Sequence, residues 1–327
     1  MKIVKNWSIK KDSDNIFAKV ELKNFCKHHE IDKSDFYIFA LMELTTNLLK
    51  YAGGGNIWLL SLDNNYCLAS VDNGCGIKDL EQAKTKGFTT ADNSLGLGLF
   101  QLEQNNSFDV EIFTMTNKQK SGTVVLIQPK KINQNIIFLS KSYMDLDYNG
   151  DYFISKGRFC LFGDISGHGL KAQKSALIVK DFFIKNFVSC HTVDKFLTNL
   201  HFVLKEQKQR SSVLSLLEIN NSNIQLCGIG NIGFWIQKQN QYSYHTFKDG
   251  IVGEAFHSCD KKEINLDKGQ RLILATDGFE PRKMQDLLGK LPTNLSSSMV
   301  AVCLMHFISN DMDDSSVLIL QKEDSNG

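Results

Sequence analysis

Four acidic sites in the second half of the chain, one of them the pair Asp313-Asp314, stand where chemistry could use them. Asp164 follows the apolar run Phe159 to Phe162 and precedes Ser166-Gly167-His168-Gly169; Asp277 follows Arg271 to Thr276; Asp151 opens a Tyr-Phe strand; Asp313 and Asp314 lead into Val317 to Leu320. Carboxylates at strand ends are rigidly aimed, and several aimed together make a site for a hard divalent cation. Each Asp-Gly taken singly is equally well a turn, so the ordered set carries the reading.

The first half offers a different chemistry. Glu43 and Asn47 lie four apart, off an apolar stripe of Ile38, Leu41, Met42, Thr45, Leu48, Leu49 and Ala52, so both can face one ligand from a helix spanning about 34–52. Ser34 or Asp35 is expected to cap that helix, and Gly53 to end it. Strand-like Tyr66 to Val71 runs into Asp72-Asn73-Gly74-Cys75-Gly76, an acid followed by glycines that admit close backbone approach. Further on, Gly96 and Gly98 lead into an apolar helix, a place where backbone N–H groups can hold phosphates.

The elements behind these residues follow from periodicity. Apolar runs at 136–143, 152–155, 158–162, 213–219, 224–227, 234–237, 242–247, 271–275 and 317–320 read as strands, with Asn220 to Asn223 as a hairpin turn. Two amphipathic helices are expected between them. One carries Ala172, Ala176, Val179, Phe183 and Phe187, the other Val193, Phe196, Leu197, Leu200 and Leu204. Antiparallel strands with grouped helices indicate a layered α+β sandwich with helices outside two packed sheets. Polar Pro129 to Asn135 places a boundary near 130, giving domains 1–130 and 131–327 joined by a short linker.

Composition narrows the class. Lys plus Arg total 37 against 36 for Asp plus Glu, a net charge of +1, so no basic field draws in nucleic acid or an anionic membrane. No signal-peptide core or run of about 18 apolar residues occurs. The eight cysteines are scattered without a Cys-x-x-Cys pair. They read as reduced thiols serving as small hydrophobes, and a cytoplasmic location is the expectation.

The ordered set Glu43-x-x-x-Asn47, Asp72-x-Gly74-x-Gly76, Gly96-x-Gly98 and Gly122-Thr123 resembles the histidine-kinase-like ATPase superfamily, over residues 10 to 128. Gly87-Phe88-Thr89-Thr90 makes it similar to serine kinases acting on anti-sigma-factor antagonists, the RsbT and SpoIIAB type. That resemblance implies a Bergerat-type ATP-binding α/β sandwich. It gives Asn47 a Mg2+ on the ATP phosphates, Asp72 the adenine amine, and Gly74 and Gly76 the space for the base. Gly96 and Gly98 would line the phosphate loop, Thr123 would support the adenine site, and Glu43 would be the general base. No phospho-acceptor histidine motif precedes it, and His28-His29 reads as an exposed helix end.

The second half, over about 140–321, resembles the SpoIIE-like branch of the metal-dependent serine/threonine phosphatases. A four-layer αββα sandwich and two Mn2+ or Mg2+ are implied. Asp164 would bridge the metals, the Ile165 carbonyl would be a backbone ligand, Asp277 and Asp313 would each serve one metal, and Asp151 would complete the set directly or through water. Asp314 would orient Asp313, and His168 is as readily structural as a general acid. Gln270 and Ser316 depart from the family's usual Asp and Thr; both are read as lying beside the metal ligands.

Together the halves suggest a bifunctional enzyme of a bacterial partner-switching pathway. One half would phosphorylate a STAS-type anti-sigma antagonist and the other would dephosphorylate such a protein. The rival readings are an ATP-gated module that sequesters a sigma factor or tethers the phosphatase without phosphoryl transfer, and a phosphatase half reduced to a scaffold. The sequence leaves the oligomeric state open; the kinase resemblance implies that a homodimer, if formed, pairs through the ATP-binding halves.

Overall fold

The computed structural model describes residues 1–62, 64–85, 98–117, 120–130, 135–145, 147–187, 192–239, 241–310 and 312–322, with the Asp145 side chain outside the description. The chain divides into two compact units, Met1–Asn133 and Gln134–Gly327.

The first unit is one antiparallel sheet with its helices on one face. Its strands are β1 (Lys2–Ile9), β2 (Gly55–Leu62), β3 (Asn65–Val71), β4 (Phe108–Thr116) and β5 (Ser121–Pro129), in the order β1-β2-β3-β5-β4. The helices are α1 (Asp12–His28), α2 (Ser34–Asn47) and the short α3 (Leu80–Ala83) and α4 (Gly98–Glu103). Ala18, Leu22 and Cys26 of α1 and Tyr37, Leu41, Leu44 and Leu48 pack with Ile57, Leu59, Leu68, Val125 and Ile127 in one core. His28 and His29 are exposed at the end of α1.

The helix expected over 34–52 is α-helical only to Asn47 and continues as a π-turn, Leu48–Ala52, closed by Gly53 at φ 71°. Lys33, at φ 62°, stands at its start, and neither Ser34 nor Asp35 caps it. The fully buried face is Tyr37, Ala40, Leu41, Leu44, Thr45 and Leu48. It is rotated from the stripe read in the sequence because Phe36, Ile38 and Phe39 make this helix apolar nearly all round.

The second unit contains two five-stranded antiparallel sheets. One has the order β13-β10-β9-β8-β7, from β7 (Tyr152–Lys156), β8 (Phe159–Ile165), β9 (Ser212–Asn220), β10 (Asn223–Ile229) and β13 (Asp260–Asn265). The other runs β12-β11-β14-β15-β6, from β6 (Ile136–Lys141), β11 (Gly233–Lys238), β12 (Gln241–His245), β14 (Arg271–Ala275) and β15 (Ser315–Gln321). Phe162, Leu217 and Leu226 of the first sheet pack against Phe234, Leu272, Leu274 and Leu318 of the second.

Helices α5 (Leu170–Asn186) and α6 (Val193–Glu206) cover the outside of the first sheet through Ala172, Ala176, Val179, Phe183, Phe196, Leu200 and Leu204. Helices α7 (Pro281–Leu288) and α8 (Ser297–Phe307) contact the second, α7 against β12 and α8 against β15 and β6. The result is helix, sheet, sheet, helix. Asn221 and Ser222 form the two-residue turn between β9 and β10, with Asn221 at φ 54°.

Three features depart from the sequence reading. The strand β13 was not anticipated; it is charged, and within it only Ile264 is buried. The helices α7 and α8 were also not anticipated, and α8 is buried on every face except His306, so it shows no amphipathic stripe. Cys227 and Cys259 form a disulfide, Cα atoms 6.1 Å apart, where reduced thiols were expected. Pairing of β10 with β13 sets Cys227 opposite Lys261, which brings Cys259 within reach. Among the described residues no helix is long and apolar enough to cross a membrane.

Candidate active site

The acids of the second unit gather because both sheets end at one place. Asp151 immediately precedes β7 and Asp164 lies near the end of β8; these strands pair antiparallel, with Tyr152 opposite Gly163. Asp277 follows β14 and Asp313 precedes β15, and these strands pair with Ala275 opposite Val317. Two bridges then tie one sheet to the other. The Thr276 hydroxyl donates to Asp151 Oδ2 at 2.9 Å, and the Gly150 N–H donates to Asp314 Oδ2 at 2.6 Å.

Asp314 is a brace. Its carboxylate takes the Tyr143 N–H at 2.7 Å as well as that of Gly150, and its own N–H donates to Asp313 Oδ1 at 2.9 Å. It therefore orients the segment carrying Asp151 with its side chain, and Asp313 with its main chain. Gly278 allows the two acid-bearing turns to meet, since a Cβ there would collide with Ser315 and the Asp314 carbonyl. Asn231, on the loop before β11, donates to Asp277 Oδ2 at 2.9 Å.

The carboxylates crowd one another, with a charge contribution from His168 at Asp314 and no ion pair to them among the described residues. None of the described ion pairs involves Asp151, Asp164, Asp277, Asp313 or Asp314. Burial pushes Asp151 above the ordinary carboxylate range, while the Ser316 and Thr276 hydroxyls oppose the shift. Burial raises Asp164 well above the ordinary carboxylate value, helped by the charges of Asp151 and Asp277. Asp277 is raised by partial desolvation and then by Asp313, and Asp314 by burial against the two N–H groups that it accepts.

Divalent cations fit this donor set. Asp151 Oδ1 is buried with no hydrogen-bond partner, an acceptor whose desolvation is unrelieved. The Ile165 carbonyl is suitably turned: Ser212, its cross-strand neighbour, spends its own N–H and C=O on Val252, so this pair is a non-hydrogen-bonded one and Ile165 faces away from β9. Yet among the described residues no three acidic, imidazole or thiol side chains already stand as a closed ligand cluster. The acids are gathered by the two bridges and repelled by their charges, and a cation would draw them in.

One other residue falls differently from its reading. Gln270 closes a turn with Asp267, which accepts from its Nε2 at 3.1 Å, at the far end of β14 from Asp277; a whole strand separates it from the acids. His168 is exposed and stacks on Tyr143 with ring centroids 4.0 Å apart. Ser316 is buried and donates to Ser140 Oγ at 2.7 Å. Sequence reasoning missed Thr276 and Asn231. Thr276 adjoins Asp277, but nothing local in the sequence signals a partner 125 residues away.

In the first unit, Asp72 is buried to 9 % exposure, and its Oδ1 accepts the N–H groups of Gly74 at 2.8 Å and Thr123 at 3.2 Å. Burial raises it despite these bonds. Gly76, at φ 73°, accommodates the Met115 carbonyl, which a side chain would strike, and Gly74 lies against Ala52 at the end of the π-turn. Thr123 Oγ1 lies 3.3 Å from the hydroxyl of Thr114, a residue the sequence did not flag; that hydroxyl also accepts the Ile77 N–H at 2.7 Å. Glu43 is half-buried, raised by burial, and its carboxylate fills the space beside Gly98 at the start of α4. Asn47 is half-buried on the last turn of α2, one helical turn beyond Glu43. Gly96 and the stretch Gly87 to Thr90 lie outside the described residues.

The family model for Stage II sporulation protein E (SpoIIE) matches residues 155–320, a stretch that includes Asp164, Asp277 and Asp313 and begins just after Asp151. The chain belongs to this family, and its second unit carries a SpoIIE-type PP2C phosphatase domain. No curated protein matches the sequence. Among solved structures, RsbX in complex with magnesium is 19 % identical, covering 64 % of this chain and 98 % of its own at a TM-score of 0.47. The PstP catalytic domain in complex with two manganese ions is 11 % identical, covering 58 % and 98 % at 0.44. The RsbU and RsbW domains of a Mycobacterium tuberculosis protein are 17 % identical, covering 57 % of this chain and 59 % of that one at 0.47.

Proposed function

We propose that the second unit hydrolyses phosphoserine or phosphothreonine on a protein partner with two Mn2+ or Mg2+, and that the first unit binds ATP with Mg2+ and phosphorylates such a partner. A STAS-type anti-sigma antagonist is the substrate class proposed for both. The observation that carries the phosphatase reading is the gathering of Asp151, Asp164, Asp277 and Asp313, reached by none of the described ion pairs, with one buried oxygen of Asp151 left without a hydrogen-bond partner.

Asp164, the Ile165 carbonyl, Asp151, Asp277 and Asp313 would hold the cations, which supply an activated water and neutralise phosphate charge. Thr276 keeps Asp151 Oδ2 engaged, so that Oδ1 is the oxygen left to bind. Asn231 fixes the rotation of the Asp277 carboxylate in the same way. In the first unit, Asp72 would accept from the adenine amine beside Thr123, Asn47 would hold Mg2+, and Glu43 would take the proton of the attacking hydroxyl. Gly98, which would line the phosphate loop, adjoins the Glu43 carboxylate, and that proximity supports the assignment.

The test is intact-mass analysis of a STAS-domain protein incubated with ATP, Mg2+ and the Asp277→Asn variant, followed by wild-type protein with Mn2+. A gain of one phosphate that wild type then erases supports both activities. Asn47→Ala should abolish the gain and spare the erasure. No gain while ATP still binds would replace the kinase by an ATP-gated binding module, and wild type unable to remove a phosphate installed by other means would overturn the phosphatase reading.

A further inference from the structure

The start of β9 holds the turn that follows Asp164 at three successive residues. Ser212 Oγ donates to the Asp164 carbonyl at 2.8 Å. The Ser211 carbonyl accepts the Ser166 N–H at 2.9 Å, and the two hydroxyls of Ser166 and Ser211 lie 2.9 Å apart. Arg210 Nη1 donates to the Ser166 carbonyl at 3.0 Å and to the His168 carbonyl at 3.4 Å. Arg210 is itself anchored, since its N–H donates to Ser175 Oγ on α5 at 3.1 Å.

The turn needs such holding. Gly167 and Gly169 have φ of 74° and 81°, and glycines in that region have the largest backbone freedom to lose. The carbonyls of Asp164, Ser166 and His168 are each engaged, while that of Ile165 faces away from β9. The guanidinium also occupies the space beside Gly167 where a side chain would point.

We propose that Arg210 is a positioning residue for the cation site. By drawing the Ser166 and His168 carbonyls to one nitrogen, it fixes the turn so that the Asp164 carboxylate and the Ile165 carbonyl can serve one cation. The inference rests on the phosphatase reading. A lysine ammonium could also donate to these carbonyls from its one nitrogen, but it lacks the planar guanidinium body that fills the space beside Gly167.

The experiment is calorimetric titration of Mn2+ into the ATP-free full chain for wild type, Arg210→Ala and Arg210→Lys, with thermal unfolding of each cation-free protein. Removing a group that orients a ligand costs about 10–100-fold in metal affinity, and that loss is expected for Arg210→Ala. Arg210→Lys should recover part of it, and the cation-free unfolding temperatures should stay together. Equal Mn2+ affinity in all three proteins overturns the inference alone. So does a loss that tracks a lowered cation-free stability in both variants, which marks a merely structural arginine. A wild-type chain that binds no Mn2+ overturns this inference and the phosphatase reading together.

Discussion

Thr276 shows how a site can depend on a side chain with no chemistry of its own. Its hydroxyl donates to Asp151 Oδ2 and accepts the Ser316 N–H at 3.0 Å, so Thr276→Val would strand a buried carboxylate oxygen and a buried amide at once. A stranded buried group costs about 1–3 kcal/mol, and urea unfolding of the cation-free protein should show a loss of that order. Mn2+ should restore part of it by engaging Asp151, and a Thr276→Ser variant should behave as wild type. The acids themselves were legible because an Asp at a strand end beside glycine is a local pattern. Thr276 was not, because its partner is fixed only by the meeting of two sheets. Cys75 offers a test at the same scale in the first unit. It is exposed within the Asp72 to Gly76 loop, whereas Cys26, Cys67, Cys160 and Cys303 are buried, with burial pushing Cys67 up to about 12 and Cys160 to about 11. The thiolate is the reactive form, so iodoacetamide at neutral pH should modify Cys75 ahead of those four. ATP with Mg2+ should slow that modification; an unchanged rate, read by peptide mass mapping, would count against nucleotide at this loop.

Elements were legible where one face is apolar and the other polar. The helices α5 and α6 follow from their stripes, and β14 lies at 271–275 as read. The helix α8 escaped because burial of nearly every side chain erases the period on which the reading depends. The strand β13 escaped for the opposite reason, since a charged edge strand with one buried residue looks like a loop. The π-turn after Asn47 was hidden because Leu48, Leu49 and Ala52 suit an α-helix equally well. The disulfide that secures the lead-in to β13 is the feature of this scale that a measurement can decide. Cys227 and Cys259 are 32 residues apart, and closing such a loop in the unfolded chain corresponds to about 3–4 kcal/mol. Reductant should therefore lower the unfolding temperature of the second unit, and Cys259→Ser should match the reduced protein. Thiol counting in denaturant should give six free thiols before reduction and eight after; eight before reduction would remove the bond from the native protein.

At the scale of the whole molecule, charge and metal must compete for stability. Asp151, Asp164, Asp277 and Asp314 are all raised from the ordinary aspartate value in the folded protein, and Glu43 and Asp72 are raised likewise in the first unit. An unfolded aspartate titrates near about 3.9, so above that pH the folded chain retains protons that the unfolded chain has lost. The number bound is larger in the native state, the slope of stability with pH is negative, and stability falls as pH rises from about 4 through the folded values. His245, lowered by burial and by Lys262 and Lys238, opposes this over its own range, but it is one exposed group against six acids. Cations that bind the ionised carboxylates displace those protons, so their stabilisation grows as pH rises. Scanning calorimetry of the cation-free chain should thus show the second unit melting lower at pH 8 than at pH 5.5, with Trp235 fluorescence reporting that unit because the other two tryptophans, Trp7 and Trp58, belong to the first. Saturating Mn2+ should raise the pH 8 transition more than the pH 5.5 one and leave the first unit's transition unmoved. The same increment at both pH values would mean that the cation is not held by acids that give up protons to bind it.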